Sequence, residues 1–334
     1  MPNTGHDFGG EISVRLDVSG GKVTAVNINS TRPEDASQIF INRKPSDVVG
    51  TLGLLFSLCG RAQTVAGLMA IEKAQGVSVA PQHAKARDLL RMAEMLSQTA
   101  MRVCMDWPRM LGLEPQPDVV RAQLKAEVEL EAALFKGENW KVPGGIEFIP
   151  AVKAAHIHDV LGLDELAQNL TDSLTELGLN TFGAGTTVED GALRRHWDEA
   201  RVSKARQDFG AGMRARLEAR IADLRTLPKL MRTCADALGP AMPDDKQPSA
   251  NGEGEASVET ARGMLTHSVT IKDGLVFAYD ITAPTDGNFA PGGPVALGLI
   301  GADATDVEAL AHAAQMHVLA IDPCVACEVE IDYA

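Results

Sequence analysis

The residues best equipped for chemistry are Cys324 and Cys327, three positions apart in Asp322-Pro323-Cys324-Val325-Ala326-Cys327. Two thiolates at this spacing grip one soft metal from a single turn of chain. A thioredoxin-like dithiol has the same spacing but needs the pair at the start of a helix. Seven residues follow Cys327, too few for that helix. A tetrahedral zinc site wants four ligands, usually as two pairs, and there is no second Cys-x-x-Cys. Free cysteines also pack as small hydrophobes. Spacing alone therefore suits metal binding and apolar packing alike.

Cys59 stands in Leu55-Phe56-Ser57-Leu58-Cys59-Gly60-Arg61-Ala62-Gln63, where the glycine permits close approach of backbone or ligand. By itself it reads as a core cysteine in an apolar helix. Arg262 sits beside Gly263, just before a hairpin, and can place five N–H donors over a bound anion or serve as an ordinary turn residue. His156, His158 and His196 occupy polar helical surroundings and read as a solvated face. Cys104 and Cys234 fall at apolar helix positions and read as core.

These residues need elements to hold them. Residues 11–30 alternate apolar and polar around Ser19-Gly20-Gly21-Lys22, the pattern of a β-hairpin. Residues 45–75 are mostly apolar, without a polar face, and predict one buried helix. Residues 83–106 carry helical spacing that Trp107-Pro108 should stop. Further helices are expected over 119–135, 150–162, 164–178, 188–224 and 228–238. The Pro, Gly, Asp and Glu of 239–257 read as a long loop or linker. A second hairpin is expected over 265–271 and 275–281, and a helix over 304–317. The fold class is mainly α with small β-hairpin elements (α+β), in one domain over 1–334.

The totals bound the rest. A chain of 334 residues can bury a sizeable core. Its formal net charge of -14 makes nucleic acid and anionic membranes poor partners. The basic stretch 194–232, with eleven basic and five acidic side chains, reads as a solvated helix with i,i+4 pairs; its alternative is a face for an acidic partner. The start shows no signal peptide, and no apolar run has the length of a membrane span. Five thinly spread cysteines fit reduced thiols, and a cytoplasmic location is expected.

Together the segments carry a resemblance. Asp322-Pro323-Cys324-Val325-Ala326-Cys327 resembles the C-terminal DPCxxC motif of nickel–iron hydrogenase large subunits. Cys59-Gly60 matches the first half of that family's RxCGxC motif, and Arg43-Lys44-Pro45-Ser46-Asp47 its lead-in. Residues 259–288 resemble its APRGxLxH segment, hairpin and PTxWN segment, and Cys104-Met105-Asp106-Trp107 the end of a helix whose Asp lies near the active site. The resemblance implies a large-subunit-like fold with a central helical bundle.

The departures point to a subgroup. Ala62 stands where the family has its second N-terminal cysteine, Glu330 where it has a final His, and Gly287 where it has a Trp. No match to the family's proton-transfer Glu precedes Cys59; the nearest stretch is Arg32-Pro33-Glu34-Asp35. The cleavable C-terminal extension of the family's precursors is missing as well. This pattern, and the phrase around Cys59, is similar to the large-subunit-like accessory proteins of uptake-hydrogenase maturation, the HupK/HoxV family. That resemblance implies a non-catalytic scaffold. It would hold an Fe(CN)2CO fragment on Cys324 and Cys327, with Cys59 as an added or transfer ligand, and without nickel. Arg262 would hydrogen-bond a cyanide, and Asp322 and Asp106 would stand near the cluster. The implied partners are hydrogenase maturation proteins and the hydrogenase large subunit. A metal-free chaperone mimicking the large subunit and a degenerate hydrogenase-like redox enzyme are the alternatives.

Overall fold

A computed structural model describes residues 10–33, 36–185, 187–243 and 246–333. Residues 1–9, Glu34 and Asp35 lie outside the described residues, so the readings made on them rest on sequence alone.

The first hairpin forms as expected, with β1 (Glu11–Ser19) and β2 (Lys22–Ser30) antiparallel. Ile12, Val14, Leu16 and Val18 are all buried, as an alternating strand requires. The stretch 45–75 is two helices, not one. α1 (Pro45–Leu55) and α2 (Gly60–Gln75) meet at a bend of 96° across a 3-10 turn, Ser57–Cys59. The break has a physical cause. Cys59, at the cap position, offers α2 no side-chain acceptor. Glu94 supplies it from the next helix, accepting the backbone N–H groups of Arg61 and Ala62 at 2.8 and 2.9 Å. A carboxylate there satisfies orphan donors and complements the helix dipole.

α3 (Pro81–Met101) carries Glu94 and runs through a π-turn, Arg102–Asp106, into α4 (Trp107–Met110). Trp107-Pro108 therefore does not stop the helix. Pro108 falls in the first turn of α4, where a missing N–H costs little. α5 (Pro117–Leu134) and α6 (Leu163–Glu176) lie where periodicity placed them. The helix expected over 150–162 is absent except for a 3-10 turn, Ala154–His156. Here distant partners take the backbone: Ala151 N–H donates to Ala133, and Phe148 and Ala241 bond to each other in both directions.

The helix expected over 188–224 is three pieces, α7 (Ala192–Arg195), α8 (Ala200–Phe209) and α9 (Met213–Asp236). The first amides of α9 go across to the 180–182 segment: Met213 N–H to Phe182 and Arg214 N–H to Asn180. α9 continues through Pro228 and absorbs the short helix expected at 228–238. Leu224, Leu227 and Met231 are buried on either side of that proline, and their burial outweighs one lost backbone bond.

β3 (Gly252–Thr260) begins inside the stretch expected as a loop at 239–257. With β4 (Gly263–Lys272) and β5 (Leu275–Thr282) it makes a three-stranded antiparallel meander, one strand more than the expected hairpin. Its glycines look like a linker but serve a crossing. A Cβ on Gly252 or Gly254 would lie 2.0 Å or 2.1 Å from the carbonyls of Ala74 and Ala70 on α2. The chain ends with α10 (Pro284–Asn288), α11 (Pro294–Leu299), α12 (Val307–Ile321) and β6 (Ala326–Tyr333). β6 joins β1 in parallel, giving the order β2-β1-β6 and setting Cys327 opposite Ile12.

The main core gathers apolar side chains of α2, α3, α5, α6 and α9, the central helical body. One smaller cluster lies between β1 and α12, another between α1, α2 and the meander. The basic stretch 194–232 is solvated in part, with the expected i,i+4 pairs Lys204–Asp208 and Arg214–Glu218, but its inner arginines are buried. Arg216 is 1% exposed and bonded twice to Glu189, both at 2.9 Å. Arg195 and His196 both reach the buried Asp223, at 2.9 and 2.8 Å, so His196 is part of an internal network. His158 is exposed, His156 is half-buried, Cys104 is core, and Cys234 is half-buried. Among the described residues no single helix is long and apolar enough to cross a membrane.

Candidate metal site

Cys59 closes the 3-10 turn between α1 and α2. One helical turn further on, the Gln63 amide donates to its sulfur at 3.7 Å. The neighbouring carbonyl of Leu58 accepts from Gln98 of α3. The α1–α2 bend thus brings Cys59 against α3.

The Cys324–Cys327 pair is presented differently. α12 ends at Asp322, a non-glycine residue with φ +69°, whose N–H still bonds to Val318 at 2.9 Å. A left-handed Asp is tolerable because its short side chain can be held locally. Here three guanidiniums hold it: Arg102 Nε at 2.7 Å, Arg262 Nη2 at 3.3 Å and Arg220 Nη1 at 3.4 Å. They come from the π-turn, the β3–β4 turn and the middle of α9. Burial pushes the Asp322 carboxyl up, but Arg262, Arg102 and Arg220 outweigh it and hold it below the ordinary carboxylate range. Pro323 cannot resume the helix, so the chain leaves extended, past Cys324 into β6.

Arg262 is 4% exposed. Its Nη1 donates to Gln98 Oε1 at 2.7 Å, so Gln98 ties Arg262 to the turn that carries Cys59. Its Nε is buried and finds no acceptor among the described residues. An orphaned buried donor costs free energy, and a bound anion would satisfy it.

These segments wall one cavity of about 610 Å3. Cys59, Cys324, Cys327 and Arg262 all line it, together with Arg102 and Gln63. Segments more than 250 residues apart in sequence, those of Cys59 and Cys324, therefore meet there. Asp322 stands behind the wall and acts through its arginines. Asp106 is not in the wall; it bonds Arg102 Nη1 at 2.6 Å. Ala62 is 1% exposed and packs in the main core, away from the cavity. Glu330 lies on the exposed side of β6, 3.4 Å from Arg15.

The electrostatics favour an anion. Arg102, Arg220 and Arg262 all face Asp322, with Asp106 beside Arg102 and Asp223 acting on Arg220, and the donor that finds no acceptor among the described residues is Arg262 Nε. Burial favours the neutral thiols of Cys59 and Cys327. Burial, then Glu94, pushes Cys59 up to about 12, against the opposing pull of Arg262. Burial, then Glu11 and Glu328, pushes Cys327 up to about 12. A metal bound here must displace those protons. The donor types suit a soft metal, yet among the described residues no three His, Cys, Asp or Glu side chains converge as a ready ligand set. The site is open, and the Cys324–Cys327 segment would have to close on a metal bound there.

Sequence reasoning missed Arg102, Arg220, Gln98, Gln63 and Glu94. Arg102 and Gln63 had a signal, each standing four residues from a residue already singled out. Arg220 was hidden in a basic stretch, and Glu94 and Gln98 in a helix face.

Comparison with known proteins agrees with this architecture. Chains of the Ni-Fe-Se hydrogenases of Desulfomicrobium baculatum (reduced, active form) and of D. vulgaris Hildenborough (reduced state) superpose with TM-scores of 0.68 and 0.66 at 15% identity. Each alignment covers 92% of this chain, and 95% and 94% of the other. The fold is that of a nickel–iron hydrogenase large subunit. The family described as nickel-dependent hydrogenase matches residues 211–330. Over nearly the full length the chain is 30% identical to the hydrogenase expression/formation protein HupK of Azotobacter vinelandii, covering 97% of this chain and 99% of that one. It is 28% identical to HupV of Azotobacter chroococcum mcd 1, again over 97% and 99%, and 26% identical to HoxV of Cupriavidus necator, over 95% of each. The chain belongs to this HupK/HupV/HoxV family of hydrogenase expression/formation proteins.

Proposed function

We propose that this protein is a non-catalytic carrier in hydrogenase maturation, holding an Fe(CN)2CO fragment as cargo and passing it to a hydrogenase large subunit. One observation carries the reading. Three cysteines from two distant segments line a single cavity beside a buried Arg262 N–H that has no acceptor among the described residues. Iron(II) with two cyanides is neutral, and two thiolates make it a dianion, which the guanidinium of Arg262 would face. Cys324 and Cys327 would hold the iron, and Cys59 would join them or take part in handing it on. Arg262 Nε would donate to a cyanide nitrogen. The open arrangement of the thiols suits cargo that must leave, since thiolates exchange readily. The missing second N-terminal cysteine argues against a nickel–iron centre and hence against catalysis.

The test is an infrared spectrum of protein purified without air from cells making a hydrogenase. Metal-bound cyanide and carbonyl bands are expected, and Cys324→Ser and Cys327→Ser should each abolish them together with bound iron. Unchanged iron in both variants would overturn the carrier reading. A second reading is favoured by the lack of a converging ligand set: a metal-free chaperone that mimics the large subunit and recruits maturation factors. It predicts neither bands nor iron, and unimpaired hydrogenase maturation with both cysteines replaced.

A further inference from the structure

Gln63, whose amide donates to Cys59, is 4% exposed, and its own oxygen is engaged as well. Gln63 Oε1 lies 2.8 Å from His267 Nε2, and His267 Nδ1 lies 2.7 Å from the Tyr279 hydroxyl. All three side chains are buried, His267 completely. They come from α2, β4 and β5, so the chain crosses from the helix into the meander. Its polarity follows from the chemistry of its members. An amide oxygen only accepts, so His267 Nε2 carries the proton. A buried neutral imidazole then has Nδ1 as acceptor, and the Tyr279 hydroxyl must donate to it. Every donor therefore points the same way: hydroxyl to imidazole, imidazole to amide, amide to sulfur.

The packing is shaped for this chain. Cys59, Gln63 and Gly67 follow at intervals of four along one face of α2. A Cβ on Gly67 would fall 2.6 Å from the Tyr279 hydroxyl and 3.2 Å from His267 Nδ1. Phe40 packs edge-on against the Tyr279 ring with centroids 5.0 Å apart, and its side chain offers no hydrogen-bonding group.

We infer that Gln63, His267 and Tyr279 are positioning residues for Cys59, a one-way hydrogen-bond chain that aims a donor at its sulfur and keeps that sulfur an acceptor. The tyrosine fixes the tautomer of the histidine, the histidine fixes the orientation of the amide, and the amide fixes the sulfur. Such ordering selects the arrangement a metal-bound sulfur needs. The purpose of the chain rests on the carrier reading, but its existence does not, so it is tested on metal-free protein.

The Raman S–H stretching band of Cys59, assigned by its loss in Cys59→Ser, reports the hydrogen bonding of the thiol directly. Gln63→Leu should displace this band. Tyr279→Phe should displace it in the same direction by less, although the missing hydroxyl is three links away. His267→Gln breaks the chain at a second point and should also move it, while Phe40→Leu, which alters the packing on the Tyr279 ring but removes no hydrogen-bonding group, should leave it unchanged. A Tyr279→Phe band coincident with wild type, in protein with a native circular dichroism spectrum, overturns the inference. So does a Phe40→Leu shift as large as that of Tyr279→Phe. Absence of iron from the wild-type protein would sink the carrier reading and leave this result standing.

Discussion

Asp322 and Arg102 stand 220 residues apart in the chain and 2.7 Å apart in space. Their bond joins the residue that initiates the Cys324–Cys327 turn to the π-turn at the end of α3. Arg102 also bonds Asp106, and Arg262 adds Gln98 and the turn carrying Cys59. The two cysteine-bearing segments are thus registered to each other through one buried carboxylate.

Asp322→Asn keeps the shape and removes the charge. Three guanidiniums would then share a buried region without their central anion. Breaking a buried pair in this way typically costs about 3–5 kcal/mol. A loss of that order is expected in urea unfolding, with greater protease access to the Cys324–Cys327 segment. A loss below about 1 kcal/mol would show that the clamp is dispensable.

Ala62→Cys tests whether the site was merely trimmed. Ala62 is buried in the core and away from the cavity. The added sulfur should cost about 1 kcal/mol by overpacking. It should also alkylate far more slowly than Cys324, as counted by mass spectrometry. Stoichiometric nickel in this variant would contradict the placement.

Acid stability should depend on three buried histidines. Burial pushes His83 down to about 4, and His267 and His317 to about 3. Each has a lower pKa folded than unfolded, so the unfolded state binds more protons below about pH 6.5. Their contribution is complete above that pH and falls as pH drops, by about 1.4 kcal/mol per pH unit for each. Glu94 runs the other way. Burial pushes it up to about 7, so its contribution is present at low pH and lost as pH rises through that value. His83 stacks on Phe135 and Phe148 with no partner for either nitrogen among the described residues. His83→Phe should therefore flatten the acid limb of a urea-midpoint profile from pH 4 to 8, and Glu94→Gln should remove the decline that Glu94 adds as pH rises from about 4.5 to about 7.

Gly67→Ala should destabilise by about 1–3 kcal/mol, since its methyl meets Leu52 at 2.3 Å as well as Tyr279. The same variant should displace the Cys59 S–H band. A neutral substitution would mean that α2 can back away from the meander.

Sequence legibility followed locality. β1 and β2 were readable because alternation and a Gly-Gly turn are local signals, and α5 and α6 because their apolar period is. The bend at Cys59 was not, because the carboxylate that starts α2 belongs to Glu94, 32 residues from Ala62. β3 was hidden by Gly252 and Gly254, whose need is set by the backbone of α2. Arg216 and Arg220 looked solvated because nothing near them in sequence announces Glu189 or Asp322.

The sequence by itself determined the candidate donors: the Cys324–Cys327 pair, Cys59-Gly60 and the turn Arg262, with an alanine at position 62. These are matters of residue type and short spacing. The tertiary structure alone decided which of them share a wall, that Asp106 and Glu330 do not, and that the thiols stand open. Burial of charge is the reason. A carboxylate or guanidinium enters the interior only with a partner, and the partners of Asp322 come from three distant segments that meet only when the chain is folded.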